Sequence, residues 1–350
     1  MPTDFPESDG TAKWDSTTLI LVELGAGKLS GIGYSYASKS CVPLIRESLF
    51  SIVRGKNPFF LSALRNEMNS SVRNFGRHGI ASSAMAAVEI ALWDLKAKLL
   101  NLPLVKLLGA VREKIPIYGS GGFTSYSEKQ LRKQFENWVG EGISMVKMKI
   151  GREPERDEIR VRSARKAIGE KVNLFVDANG AFTPKQALNI AEAFSEQNVC
   201  WFEEPVSSDD LGGLHFLRAR APVKIAIAAG EYNYDLWQAQ KMLNACAVDV
   251  LQADATRCGV TGFLQIATLC DAFQIPLSAH TAPALHAHLC CAANRAENVE
   301  YFHDHVRIEQ MFFNGATTKH KNGFLQPDFS EPGLGLEFKR KSAAKFQIKI

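Results

Sequence analysis

The chain has 350 residues, 46% apolar and 22% charged, with a formal net charge of +4. That length exceeds one small core and predicts a large domain beside a smaller one. So small and scattered a basic excess argues against a nucleic-acid partner, and no run reaches the roughly 18 apolar residues of a membrane span.

The opening stretch, MPTDFPESDGTAKWDS, lacks the apolar centre of an export signal. Seven cysteines with no CxxC pair read as reduced thiols, which places the chain in the cytoplasm. Residues 16 to 37, STTLILVELGAGKLSGIGYSYA, predict a hairpin around a Gly/Lys turn. ASSAMAAVEIALWDLKAKLL (81 to 100) follows with helical spacing, so residues 1–112 form an α+β unit.

From Ile115 the rhythm changes. Short apolar runs recur at IPIY, MVKMKI, VNLFVD, VCWFE, VKIAIAAGE, VDVLQAD, IPLSAH and VEYF, with helical stretches between most of them. One of those, GVTGFLQIATLCDAFQ, puts Phe263, Ile266, Cys270 and Phe273 on one stripe. Strands alternating with helices imply right-handed crossovers and a parallel sheet. Eight such runs predict a closed (β/α)8 barrel over 113–323; the competing doubly wound sheet lacks its Gly-rich first turn. The Pro/Gly-rich segment 324–350 is expected to return over the first unit.

Ionisable residues end these runs in order: Lys147 and Lys149, Asp177, Glu203, Glu231, Asp254, His280, and Glu300 near the last. Strand C-termini of a barrel converge on one mouth, where catalytic groups sit. Asp177, Glu203 and Glu231 supply three hard oxygen ligands that suit Mg2+, one per subunit, with Mn2+ also chemically allowed. Without a cation, three converging carboxylates repel and at least one takes a proton. Asn179 sits on the same strand-end turn as Asp177, and Glu204 is expected to face away from Glu203. Lys147 and Lys149 share a face, so each lowers the other's pKa and Lys149 becomes a base near neutral pH. Opposite, Asp254 and His280 form a carboxylate–imidazole pair, and Glu300 is expected to be a protonated donor. This constellation fits abstraction of a proton α to a carboxylate.

VKMKIG, FVDANGAF, WFEEPV, AAGE, QADATRCGVTG and SAHTAPALH together resemble the signatures of the enolase superfamily, in its mandelate racemase subgroup. The resemblance implies a modified TIM barrel with an N-terminal capping domain, a small-molecule carboxylate substrate and a homo-oligomer. It implies Mg2+ ligation by Asp177, Glu203 and Glu231, with Lys149 and His280 as the two acid/bases. Lys147 would hold the substrate carboxylate, Asp254 would orient His280, and Glu300 matches the family's electrophilic acid. Two departures stand out. A strand expected before Asp4 is missing or shortened, and GIGYSYA lacks the acidic residue often found after that turn.

Dehydration of an acid sugar, aldonate or aldarate, is the favoured reaction, with racemisation or epimerisation as the alternative. Both start by removing the α-proton. A barrel that had lost catalysis would show a broken ligand set, whereas all seven strand ends are chemically intact. Arg77 and His78, in NFGRHG, are expected to reach the mouth and contact a second substrate anion. His286 and His288 lie two apart with Cys290 and Cys291 nearby, a poor zinc spacing on a helix. FHDHV places His303 and His305 just past the last strand, where substrate contact and a structural role both stay open.

Overall fold

The computed structural model of the chain describes residues 1–316 and 319–348. The first unit holds β1 (Pro2–Ser8), β2 (Lys13–Ser16), β3 (Leu19–Ala26) and β4 (Leu29–Tyr36), followed by helices that include Leu61–Ser71 and Ile80–Leu99. The predicted hairpin is the β3–β4 pair, closed at Gly27 and Lys28 and in register from Leu19↔Tyr36 to Ala26↔Leu29. Gly31 and Gly33 of β4 lie against the backbone of Ile80–Leu99, where a Cβ would collide with the Ala91 and Ala87 carbonyls. That approach explains why the helix is rich in alanine and buried almost all round. A strand does occupy the start of the chain: β1 pairs antiparallel with β2.

Eight parallel strands then close into a ring: β5 (Ile115–Gly121), β6 (Met145–Lys149), β7 (Asn173–Asp177), β8 (Val199–Glu203), β9 (Ala226–Ala229), β10 (Val250–Ala253), β11 (Leu277–Ala279) and β12 (Ala296–Phe302). Closure is made by β12, which pairs with β11 and also with β5, Glu300 opposite Tyr118. Helices join the strands, and several carry their own start signals. Ser127 and Thr183 each form a capping box, and Asp210, Asp235 and Asp254 cap through their carboxylates. On the helix Ala255–Phe273, Phe263, Ile266 and Cys270 are buried, but Phe273 at its end is exposed.

Inside the ring, Tyr118, Phe175, Trp201, Ala228 and Val250 pack as a layer. Side chains two residues apart on a strand share a face, so the next inward positions after Phe175 and Trp201 are Asp177 and Glu203. The register sets Lys149 beside Asp177 and Asp177 beside Glu203 at one rim. The hydrophobic layer thus fixes which end of the barrel carries the charges.

After the helix His303–Phe312 the chain forms β13 (Phe313–Asn314), β14 (Phe324–Leu325) and β15 (Glu337–Phe338). β14 runs antiparallel on β5, and β15 pairs with β13. Gly333 exchanges backbone hydrogen bonds with Leu102 and Leu104. The Leu334 amide donates to Asp94, whose other oxygen accepts from Ile32 of β4. Among the described residues no helix is long and apolar enough to cross a membrane.

Candidate active site

The mouth of the barrel gathers Lys147, Lys149, Asp177, Glu203, Glu231, Asp254, His280 and Glu300. Asp177 and Glu203 end β7 and β8, both fully buried. Glu231 lies two residues beyond β9, and the positive φ of Gly230 re-aims it inward. One oxygen from each of these three carboxylates lies within 4.8 Å of the others. Burial and the neighbouring Asp177 charge push Glu203 well above the usual carboxylate range. Three buried hard oxygens at such spacing fit a divalent cation, which would offset that repulsion. Among the described residues this is the one cluster of such groups.

Lys147 is fully buried, and its Nζ reaches Glu203 at 2.5 Å, Glu300 at 2.9 Å and Asp177 at 3.3 Å. Lys149 pairs with Asp177 at 2.5 Å. The expectation of a depressed Lys149 pKa is therefore corrected for this charge arrangement. Burial pulls it down, as does Lys147, but Asp177 with Glu203 and Glu300 outweighs both, and the ammonium is held above its ordinary range. A cation sharing the Asp177 carboxylate would weaken that hold.

Across the mouth His280 Nδ1 lies 2.9 Å from Asp254 Oδ2, while its Nε2 lies 3.3 Å from Glu231 and 3.7 Å from Glu300. The other Asp254 oxygen accepts from the Thr256 amide and hydroxyl, both at 2.7 Å, which caps the helix Ala255–Phe273. Burial alone would raise Asp254; His280 and Arg257 outweigh it and hold the carboxylate ionised. Arg257 also donates to Glu231, at 2.8 Å to its carbonyl and 3.2 Å to its carboxylate. Lys149 and His280 thus stand on opposite flanks of the three-carboxylate cluster.

Glu300 accepts from Ser120 at 2.6 Å and from the Thr281 amide at 3.0 Å. Its expected protonation is corrected as well. Burial favours the acid, but Lys147, His280 and Lys149 together lower it below the carboxylate range. Asn179 lines the same cavity, and its amide donates to Asp177 at 2.9 Å. Glu204 does not face away: with φ of +36° it leaves the strand pattern, and it is buried where Glu231 adds to its desolvation.

Arg77 and His78 are not at the mouth. They line a separate cavity of about 250 Å³ between the capping helices and Ala255–Phe273. His78 pairs there with Asp235 at 3.0 Å. Their segment leads into Ile80–Leu99, whose first turn docks on Tyr234 and Arg257 through the Ser82 hydroxyl, so it flanks the barrel instead of covering it. His286 uses both ring nitrogens on backbone: Nε2 accepts from Ala255 at 2.9 Å and Nδ1 donates to Thr281 at 2.8 Å. His303 pairs with Asp4 at the surface.

The mouth cavity measures about 400 Å³, and much of its wall was not singled out in the sequence. Asp9, Trp14, Ser16, Thr17, Thr18, Tyr36 and Ser38 come from the capping unit; Tyr232, Arg257, Thr281, Phe302 and His305 come from the barrel side. The WDSTT stretch has no spacing that points at a site so distant along the chain. His305 was the one signal within reach, through FHDHV.

Residues 6–109 match the family model described as mandelate racemase/muconate lactonizing enzyme, N-terminal domain, and residues 130–342 match enolase C-terminal domain-like. A mandelate racemase/muconate lactonizing enzyme-like protein from Rubrobacter xylanophilus superposes with a TM-score of 0.96 at 50% identity, over 98% of this chain and 96% of that one. A racemase from Streptomyces coelicolor with bound magnesium gives 0.93 at 25% identity, over 99% and 97%. L-talarate/galactarate dehydratase from Salmonella typhimurium is 30% identical over 78% of this chain and 69% of its own length. Its structure liganded with Mg and L-lyxarohydroxamate gives a TM-score of 0.87, over 98% of this chain and 89% of that one. With both domains matched and the barrel mouth assembled as above, the chain belongs to the enolase superfamily, in its mandelate racemase subgroup.

Proposed function

We propose that the protein is a magnesium enzyme that removes the proton α to a carboxylate and dehydrates an acid sugar, an aldonate or aldarate, to a 2-keto-3-deoxy acid. The observation that carries this reading is the placing of Lys149 and the His280–Asp254 pair on either side of three clustered carboxylates. Asp177, Glu203 and Glu231 would hold the ion, which supplies positive charge opposite the charge that develops on the substrate carboxylate. Lys147 adds a fully buried cation beside them and helps to hold that carboxylate. Lys149 or His280 takes the α-proton. Asp254 keeps the His280 proton on Nδ1, so Nε2 faces the substrate, ready to accept a proton or, once protonated, to give it to a leaving β-hydroxyl. Glu300 lies beside both Lys147 and His280 and completes the electrostatic ring.

Racemisation or epimerisation is the second reading, favoured by the same flanking pair: one group removes the proton and the other returns it on the opposite face. Incubation with Mg2+ and an acid-sugar library, assayed for 2-keto acids, separates the two. Keto-acid formation is expected. Deuterium washing into the α-position of a 2-hydroxy acid with no keto acid from any sugar would replace dehydration with racemisation.

A further inference from the structure

We infer that the substrate carries a single carboxylate, and that His305 recognises one of its hydroxyls; the site therefore takes aldonates in preference to aldarates. This rests on the acid-sugar reading and deepens it. The cationic groups lining the cavity, Lys149 and Arg257, belong with His280 to its barrel end and face the acidic cluster there.

The opposite wall is hydroxylic and aromatic: Trp14, Ser16, Thr17, Thr18, Tyr36 and Ser38. Its one ionisable carboxylate is Asp9, whose Oδ1 is engaged by the Thr11 and Ala12 amides. Behind the wall the hydroxyl and indole groups are already engaged, and burial raises the Glu7 pKa there to about 8. The Thr17 hydroxyl donates to Asp304 at 2.9 Å, and the Trp14 indole donates to buried Glu7 at 2.8 Å. The nearby guanidiniums are held elsewhere. Arg307 pairs with Asp304 and Asp4, and Arg152 donates to the Asp9 and Ala12 carbonyls. Arg77 and His78, expected from the sequence to meet a second anion, line the other cavity. A second carboxylate would give up its hydration to face Asp9 and the hydroxylic wall, where no cation stands among the described residues lining that wall to partner it.

His305 fits a hydroxyl. The Ala282 amide donates to its Nδ1 at 3.4 Å, which puts the ring proton on Nε2. The ring stacks on Tyr36 with centroids 3.3 Å apart and planes 10° from parallel, and Phe302 meets it edge-on. Burial holds its pKa down to about 3, so the ring stays neutral in use. The side chain lines the cavity, and among the described residues no partner takes its Nε2–H.

The test compares kcat/KM for aldonates with that for the matching aldarates, alongside α-proton exchange in D2O with Mg2+. Aldonates are expected to be favoured by at least about 100-fold. Against the best aldonate, His305→Ala should lose about 10- to 100-fold in kcat/KM, mostly through KM. Against the one deoxy analogue that lacks the contacted hydroxyl it should change little, and His305→Gln, which keeps an N–H donor, should restore most of the loss. Aldarates turned over as well as aldonates would overturn the inference while leaving acid-sugar dehydration standing. An equal loss on the hydroxylated and deoxy substrates would overturn the role of His305. No exchange and no keto acid from either class would bring down the underlying reading and this inference with it.

Discussion

Asp254 serves two partners with its two oxygens. One caps a helix through Thr256, the other holds His280 Nδ1. The division makes the imidazole's orientation as firm as the helix start. Asp254→Asn keeps the size but removes the negative charge that His280 and Arg257 hold in place against burial. It is expected to lower kcat by about 10²- to 10⁴-fold with little change in KM, measured on the sugar acid turned over best. An unchanged kcat would mean that the pair is structural only. At this scale the sequence was informative about identity and less so about charge state. The strand-end order exposed Lys149 and Glu300, but their protonation depends on Asp177 lying 2.5 Å from one and Lys147 2.9 Å from the other. No spacing along the chain encodes such distances.

Elements decided which residues meet. The alternation within VNLFVD and VCWFE places an aromatic in the barrel layer and a carboxylate two positions later, which is why those strand ends were legible. Positions just outside strands were harder. Glu204 follows β8 with a positive φ, and the alternation that holds inside the strand fails there. The wall from β1 and β2 was illegible for another reason: contacts across so much of the chain carry no periodicity. Packing of β4 on Ile80–Leu99 gives a direct test. Gly33→Val would drive a side chain into the helix backbone and should cost about 3 kcal/mol. Gly140→Ala, into open space at a helix end, should change stability by less than about 1 kcal/mol. Calorimetric melts of the two variants check both, and equal melting points would contradict the close docking.

The whole molecule encloses ionisable groups that must stay neutral, and this gives it a pH signature. His288 is fully buried on the helix Pro283–Ala292, and burial lowers its pKa to about 4 from the ordinary 6.5. As pH falls below 6.5 the unfolded chain takes a proton at this residue before the folded one does. The stability it protects is present above that pH and lost between 6.5 and about 4, up to about 3 kcal/mol. Urea unfolding of the wild type and His288→Leu at pH 7 and pH 4.5 should show the gap between them shifting toward the variant at the lower pH. A pH-independent gap would contradict a buried neutral ring. The two-unit layout was readable because its parts differ in rhythm, hairpin and helices first, strand–helix alternation after. The placing of NFGRHG was not, because which side of the barrel a capping helix flanks is set by tertiary docking at Tyr234 and Arg257.

The central claim is that side chains from three successive strands hold one divalent ion between two proton carriers. Isothermal titration of Mg2+ into the wild-type protein and into Glu231→Gln tests it most directly. One magnesium per chain is predicted for the wild type, with binding weakened at least about tenfold when a ligand carboxylate becomes an amide. No magnesium uptake, or the same affinity in both proteins, would contradict the account.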